Sequence, residues 1–235
     1  MLYAFFQYLE AQYDIPGTGV FQYITFRAAL SVITSLLVSL LLGKRIIGLL
    51  HKLQVGESVR DLGLEGQKEK TGTPTMGGLL ILTAILIPTL LFARLDNVYI
   101  QLLMVTTVWM GFIGFLDDYI KVFKKDKKGL RGIFKVLGQV VLGVIVGAVL
   151  FFHPEVVIKE KIPAEQRVSA SVSDAFGQAH HSAKTTIPFF KNNELDYAEF
   201  VERWGAEPSR WAWLVFIPIV IFIVTAVSNG ANLTD

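Results

Sequence analysis

The chain has 235 residues, 52% of them hydrophobic, with a mean hydropathy of +0.50 and a formal net charge of only +2. This is too apolar for an ordinary water-soluble domain, where apolar usage including Gly is nearer ~45–50%, and too close to neutral for general polyanion binding, so nucleic acid is not expected as a partner. There is no Cys, which excludes a disulfide, a thiolate nucleophile and a Cys-based metal site.

The apolar residues come in blocks, which predicts an all-α polytopic membrane protein with about five transmembrane helices in a single integral-membrane domain over 1–235. The N-terminus lacks a basic region and carries Glu10 and Asp14, so it does not read as a cleavable signal. Residues 1–19 place Leu2, Phe5, Phe6, Leu9 and Tyr13 at helical spacing, which predicts a short amphipathic helix on the membrane surface, ended by Pro16-Gly17. Five spans are expected next: Phe21–Leu42, Met76–Ala93, Val98–Leu116, Ile133–Phe152 and Trp211–Val227. Each is near the ~20 residues needed to cross ~30 Å of hydrocarbon. Arg27 is expected to snorkel at the outer end of the first span. Pro88 lies inside the second, which membrane helices tolerate. Trp204, Trp211 and Trp213 read as interface anchors of the fifth.

Loop charge sets orientation. Segment 44–70 has six basic residues and segment 121–135 has seven, whereas the link 94–97 has only Arg94. Segment 153–210 has seven basic residues over 58 positions, beside nine acids. The basic excess in the short loops predicts that 44–70 and 121–135 are cytoplasmic. The N-terminus and the 153–210 loop between spans four and five are then extracytoplasmic, and Ser228–Asp235 returns to the cytoplasm. Within 153–210, Val168–Ser173 and Phe176–Ser182 are expected to be mobile, and Ile187–Phe190 and Tyr197–Trp204 to pack on the membrane surface. His180 and His181 are adjacent and so do not share a helical face; both read as solvated rather than as a metal pair.

Three polar motifs fall on the cytoplasmic side in this topology. Lys70-Thr71-Gly72-Thr73-Pro74-Thr75-Met76-Gly77-Gly78 opens the second span, with Thr73 as N-cap, Pro74 at the first helical position and free N–H groups suited to an anion. Phe115-Leu116-Asp117-Asp118-Tyr119 closes the third span. Carboxylates at a helix C-terminus face the negative end of the macrodipole, at a cost of roughly 0.3–1 kcal/mol each, so a compensating cation is expected. Lys121, Lys124, Lys125, Lys127 and Lys128 follow, and Lys121 stands at the favourable i+4 spacing from Asp117. A divalent ion with a phosphate would compensate better, since Mg²⁺ is commonly held by one or two carboxylates plus substrate phosphates. The plain alternative is a solvated stop-transfer flank. In Asn229-Gly230-Ala231-Asn232-Leu233-Thr234-Asp235, the residues Asn229, Asn232 and Asp235 recur every three positions and share a helical face. Asn232-Leu233-Thr234 is also a glycosylation sequon, which the expected cytoplasmic location excludes.

These three motifs, in order and spacing, resemble the phospho-N-acetylmuramoyl-pentapeptide-transferase branch of the polyprenyl-phosphate N-acetylhexosamine-1-phosphate transferases. The likeness covers most of 20–152 and 211–235. It implies transfer of phospho-N-acetylmuramoyl-pentapeptide from its UDP-linked form to undecaprenyl phosphate, giving lipid I and UMP, with Mg²⁺, at the cytoplasmic face of a bacterial inner membrane. Asp117 is similar to the family's base or phosphate-activating carboxylate, and Asp118 to its partner at the metal. Lys70, Thr75, Asn232 and Asp235 match nucleotide-side positions, and Lys121, Lys125 and Lys135 match positions near the phosphates. The implied partners are both substrates and the bilayer, with a homodimer as an open option. Direct attack and a covalent aspartyl intermediate both remain open. Family members have about ten spans, with a further metal-binding aspartate and a histidine-rich motif, so the chain is expected to be a partial one with little activity by itself. The alternatives are a sister transferase using UDP-N-acetylglucosamine and a transporter fragment. The latter would need ionisable residues mid-span, and the expected spans carry none at their centres.

Overall fold

The computed structural model describes residues 1–53, 76–124, 126, 128–159, 177–182, 184–187, 194–205 and 207–234. The chain divides into two compact units, Met1–Lys135 and Val136–Asp235, which are taken separately.

In the first unit, α1 (Leu2–Tyr13) is helical, as its apolar spacing predicts. It stops at Asp14, whose backbone is left-handed (φ 46°) and whose N–H bonds the Glu10 carbonyl. Pro16-Gly17 then turns the chain into a 3₁₀ turn, Thr18–Gln22. This turn folds back on α1: the Phe6 and Phe21 rings stack at 3.8 Å, and Gln22 Nε2 donates to Glu10 Oε2. Phe5, Tyr8 and Tyr13 stay exposed, as a helix on a membrane surface requires.

Helix α2 (Ile24–Leu53) has 30 residues, about 45 Å at 1.5 Å per residue. The predicted end at Leu42 is therefore too early. Gly43 does not break the helix, and Lys44-Arg45-Ile46-Ile47 continues it with residues whose charges suit water beyond the hydrocarbon. Helix α3 (Gly78–Phe92) has 15 residues including Pro88, and is shorter than the four helices long and apolar enough to cross a membrane. It packs along α2, where Leu80 approaches Gly43 closely. The link ends at Asn97, whose Oδ1 accepts from the N–H groups of Tyr99 and Ile100 and caps α4 (Val98–Phe123). Gly111 of α4 lies against Leu82 so tightly that a Cβ there would sit 2.6 Å from Leu82 Cδ1.

Arg27 does not snorkel. It is only 9% exposed, donates from Nη1 to the Phe92 carbonyl at the end of α3, and lies with its guanidinium 4.6 Å from the Tyr3 ring centroid. The surface helix α1 covers it, which periodicity within α2 does not reveal.

In the second unit, α5 (Gly132–Phe152, from Val136 onward) pairs with α8 (Trp213–Thr234). Gly143 and Gly147 let the backbones approach: a Cβ on them would lie 2.7 Å from the Ile221 Cα and 3.3 Å from the Ile217 Cα. A polar cluster lies beside this contact. Gln139, 4% exposed, donates to Ser228 Oγ and accepts from Asn229 Nδ2. Between the two helices, Ile158 and His180 exchange backbone hydrogen bonds, so the expected mobile stretch is tied down there; 168–173 lies outside the described residues. Two short antiparallel strands, β1 (Lys184–Thr186) and β2 (Glu194–Asp196), pair Lys184 with Asp196. The Asp196 side chain caps α6 (Tyr197–Arg203). Tyr197 and Val201 are buried, with the Tyr197 ring edge-on to Phe216 of α8 and its hydroxyl 2.6 Å from Thr185 Oγ1. The short α7 (Pro208–Trp211) leads into α8, leaving Trp204 and Trp211 exposed. His180 and His181 are exposed, and the former's Nδ1 is 3.3 Å from the Gln178 carbonyl.

Candidate active site

Asp117 and Asp118 are not at a helix end. Helix α4 continues through Tyr119, Ile120 and Lys121 to Phe123, so both carboxylates stand inside its last two turns. The macrodipole penalty acts at the last turn, and it is not what organises this site. What organises it is burial with direct pairing. Asp117 is 8% exposed. Its Oδ2 is 2.7 Å from Lys121 Nζ, one turn along the helix, and its Oδ1 is 2.9 Å from Lys135 Nζ, on the first turn of α5. The Leu130 N–H also donates to Oδ1 at 2.8 Å. Lys121 Nζ lies 3.7 Å from Asp118 Oδ1, so one ammonium serves both acids.

The loop after α4 completes the arrangement. Lys124 N–H caps α4 on the Ile120 carbonyl, and Asp126 Oδ1 accepts from the Lys128 N–H. The turn closes with Gly129 N–H on the Asp126 carbonyl and Gly129 at φ +67°, a left-handed value. A Cβ on Gly129 would collide with Asp117 Oδ1 and come within 2.8 Å of Lys121 Cε. Glycine is thus needed twice, for conformation and for space, and it lets the next amide reach the carboxylate. Sequence reasoning missed Gly129 and Leu130. The signal available was a glycine ending the lysine-rich run Lys124-Lys125-Asp126-Lys127-Lys128.

Of the residues singled out from sequence, the structure brings together Asp117, Asp118, Lys121 and Lys135. Lys124 and Lys128 are exposed and form no part of this pairing. Lys70, Thr75, Lys125 and Asp235 lie outside the described residues, as do Lys127, Thr73 and Pro74. Helix α3 begins at Gly78 with Gly77 as its N-cap, four residues later than Pro74 would start it. Met76, at φ 70°, takes the left-handed conformation that interrupts the helix. In the second unit α8 runs to Thr234, so Asn229 and Asn232 are helical. The Asn229 amide donates to Gln139 Oε1 and to the Thr225 carbonyl, which uses both of its N–H bonds within the helix pair. Asn232 is exposed.

The oxygen donors suit a hard cation only as a partial shell. Among the described residues no group of three or more His, Asp or Glu gathers to hold a metal. Asp117 already accepts from two ammonium groups and an amide, whereas the Asp118 side chain is about one-third exposed. Two carboxylates are at most a partial shell for a hard cation such as Mg²⁺, which commonly takes one or two carboxylates and completes its shell with phosphate oxygens and water.

A family signature described as phospho-N-acetylmuramoyl-pentapeptide-transferase signature 1 matches residues 70–82. Curated proteins named phospho-N-acetylmuramoyl-pentapeptide-transferase match along all of this chain: 61% identity with that of Flavobacterium psychrophilum, 59% with that of Flavobacterium johnsoniae and 56% with that of Parabacteroides distasonis. The chain spans 58%, 58% and 56% of their lengths. By motif and by identity along its whole length, the chain matches the phospho-N-acetylmuramoyl-pentapeptide-transferase family.

Proposed function

We propose that the chain contributes to transfer of phospho-N-acetylmuramoyl-pentapeptide from UDP to undecaprenyl phosphate at the cytoplasmic face of the bacterial inner membrane, forming lipid I and releasing UMP. The observation that carries this reading is the buried Asp117 carboxylate between two ammonium groups. The reaction brings an anionic lipid phosphate to an anionic pyrophosphate, and its barrier is largely one of charge. Lys121 and Lys135 supply fixed positive charge where phosphoryl oxygens would gather. Asp117 holds both lysines in place and offers a carboxylate oxygen to the lipid phosphate, as base or as the group that first accepts the phosphoryl. In the direct route the sugar-linked phosphorus gains a bond to a lipid-phosphate oxygen as its bond to the UMP oxygen breaks; in the covalent route it gains a bond to Asp117 as UMP leaves, and the lipid phosphate then displaces the Asp117 oxygen from it. Mg²⁺, when bound, would polarise the pyrophosphate and neutralise the leaving UMP; Asp118 would be its protein ligand. We assign Lys70, Thr75, Asn232 and Asp235 to nucleotide binding and Lys125 to the phosphates. The muramoyl rather than the N-acetylglucosamine substrate is preferred because the relatives carry the muramoyl name.

The test is Mg²⁺-dependent UMP release in bilayers, with both UDP-sugars offered side by side. It is run on this chain and on the Flavobacterium psychrophilum relative, each with and without Asn at the position of Asp117. The relative is expected to release UMP from the muramoyl substrate alone and to lose that release in its Asn variant, whereas this chain, 58% of the relative's length, is expected to release little by itself. Preference for UDP-N-acetylglucosamine, or undiminished release by the variants, would overturn it.

A further inference from the structure

A second cluster of positive charge lies at the other end of the first unit. Arg27 stands in the first turn of α2, beside the last residue of α3, and Arg94 follows two residues after that helix ends. Both guanidinium groups face the ring of Tyr3 on α1, at 4.6 and 5.4 Å from its centroid. Arg27 is more than nine-tenths buried, yet among the described residues it has no carboxylate within ion-pair distance. Among the described residues its guanidinium donates one hydrogen bond, a 3.3 Å contact to a neutral carbonyl, and its buried Nε finds no partner. The single acid nearby, Asp96, is committed to Arg94 at 2.8 Å. Asp96 is held below the usual carboxylate range, first by that hydrogen bond and to a smaller extent by the charge of Arg27. Glu10, the acid of α1, is bound to Gln22.

A buried guanidinium is costly unless an anion pairs with it. Capping one α3 carbonyl and lying on an aromatic ring reduce that cost but do not neutralise the charge. The place is a membrane boundary. Two apolar helices meet there, α2 at its start and α3 at its end, under a surface helix with exposed aromatics. At that depth the abundant anion is a lipid phosphodiester, whose oxygens match the guanidinium fork. We infer that Arg27 and Arg94, flanking Tyr3, form a binding site for the phosphate of an anionic phospholipid, separate from the Asp117 site and independent of the transfer reaction. The lipid supplies the counter-charge the protein lacks and fastens α1 to the α2–α3 pair.

The test is native mass spectrometry of the full chain released from bilayers of phosphatidylethanolamine and phosphatidylglycerol, with circular dichroism to check folding. The wild-type chain is expected to retain phosphatidylglycerol. Arg27→Gln should lower retention roughly tenfold or more, Arg94→Gln by less, and Arg27→Lys should restore part of it. If Arg27→Gln does not fold, the exposed Arg94 decides through Arg94→Gln. Equal retention by the wild type and the folded variants would overturn the inference. So would inorganic phosphate displacing the lipid at equal concentration, since that would mark a site for a free anion. The readout is lipid binding alone, so it stands or falls apart from the activity proposed above.

Discussion

Two buried polar clusters in this chain are built to opposite ends. The Asp117 cluster joins a helix, a loop and the start of the next helix, and it is ionic throughout. The Gln139 cluster joins two apolar helices and is neutral: one amide, one hydroxyl and a second amide, closed on each other. A neutral closed cluster fixes the register of a helix pair and asks for no ligand. An ionic cluster with two lysines on one buried acid, and a second acid partly exposed beside it, holds more charge than helix pairing needs. That difference separates a site from a clamp, even though both read in sequence as polar residues near the ends of apolar spans.

Perturbing the two clusters should therefore give different signatures, with activity read in the longer Flavobacterium psychrophilum relative changed at the matching positions and stability read in this chain. The largest effect is expected from Asp117→Asn, which keeps size and removes charge. UMP release should fall by about 10²-fold or more while circular dichroism shows the helical fold retained. Gly129→Ala comes next. It forces a left-handed alanine and a clash with Asp117, at roughly 1–3 kcal/mol of local strain. Turnover should fall by about tenfold or more, with a smaller change in substrate affinity, read from a kcat against KM comparison. Gln139→Leu should show the reverse pattern. It leaves Asn229 and Ser228 without their partner and should destabilise the α5–α8 pair by about 0.6–2 kcal/mol, seen as a lower unfolding midpoint. Lys124→Ala, at an exposed position outside the pairing, should change neither readout. A loss of activity there comparable to that of Gly129→Ala would break the distinction between paired and unpaired lysines.

Much of this was legible before any coordinates. Block hydropathy located α3, α4 and α5 to within a few residues at their starts, because a run of apolar residues bounded by charge has few other solutions. The ends of α2, α4 and α8 were not legible. Each helix continues past the last apolar residue, since helical hydrogen bonding does not require hydrocarbon around it. At the site, the i+4 pairing of Asp117 with Lys121 follows from helical spacing alone. The reach of Lys135 across a loop and the amide of Leu130 do not, because they depend on how Gly129 turns the chain. The burial of Arg27 and the pairing of Asn229 with Gln139 escape the sequence for a related reason: what each touches comes from a different helix.

The central claim is that Asp117, Lys121 and Lys135 act as one unit in phosphoryl transfer. A double-mutant cycle on UMP release, with Asp117→Asn, Lys135→Gln and the pair placed at the matching positions of the folded Flavobacterium psychrophilum relative, tests it most directly. The cycle should be strongly non-additive, with the double variant no slower than Asp117→Asn alone to within a few-fold. Losses that simply multiply, or an Asp117→Asn variant that releases UMP at the wild-type rate, would contradict the account.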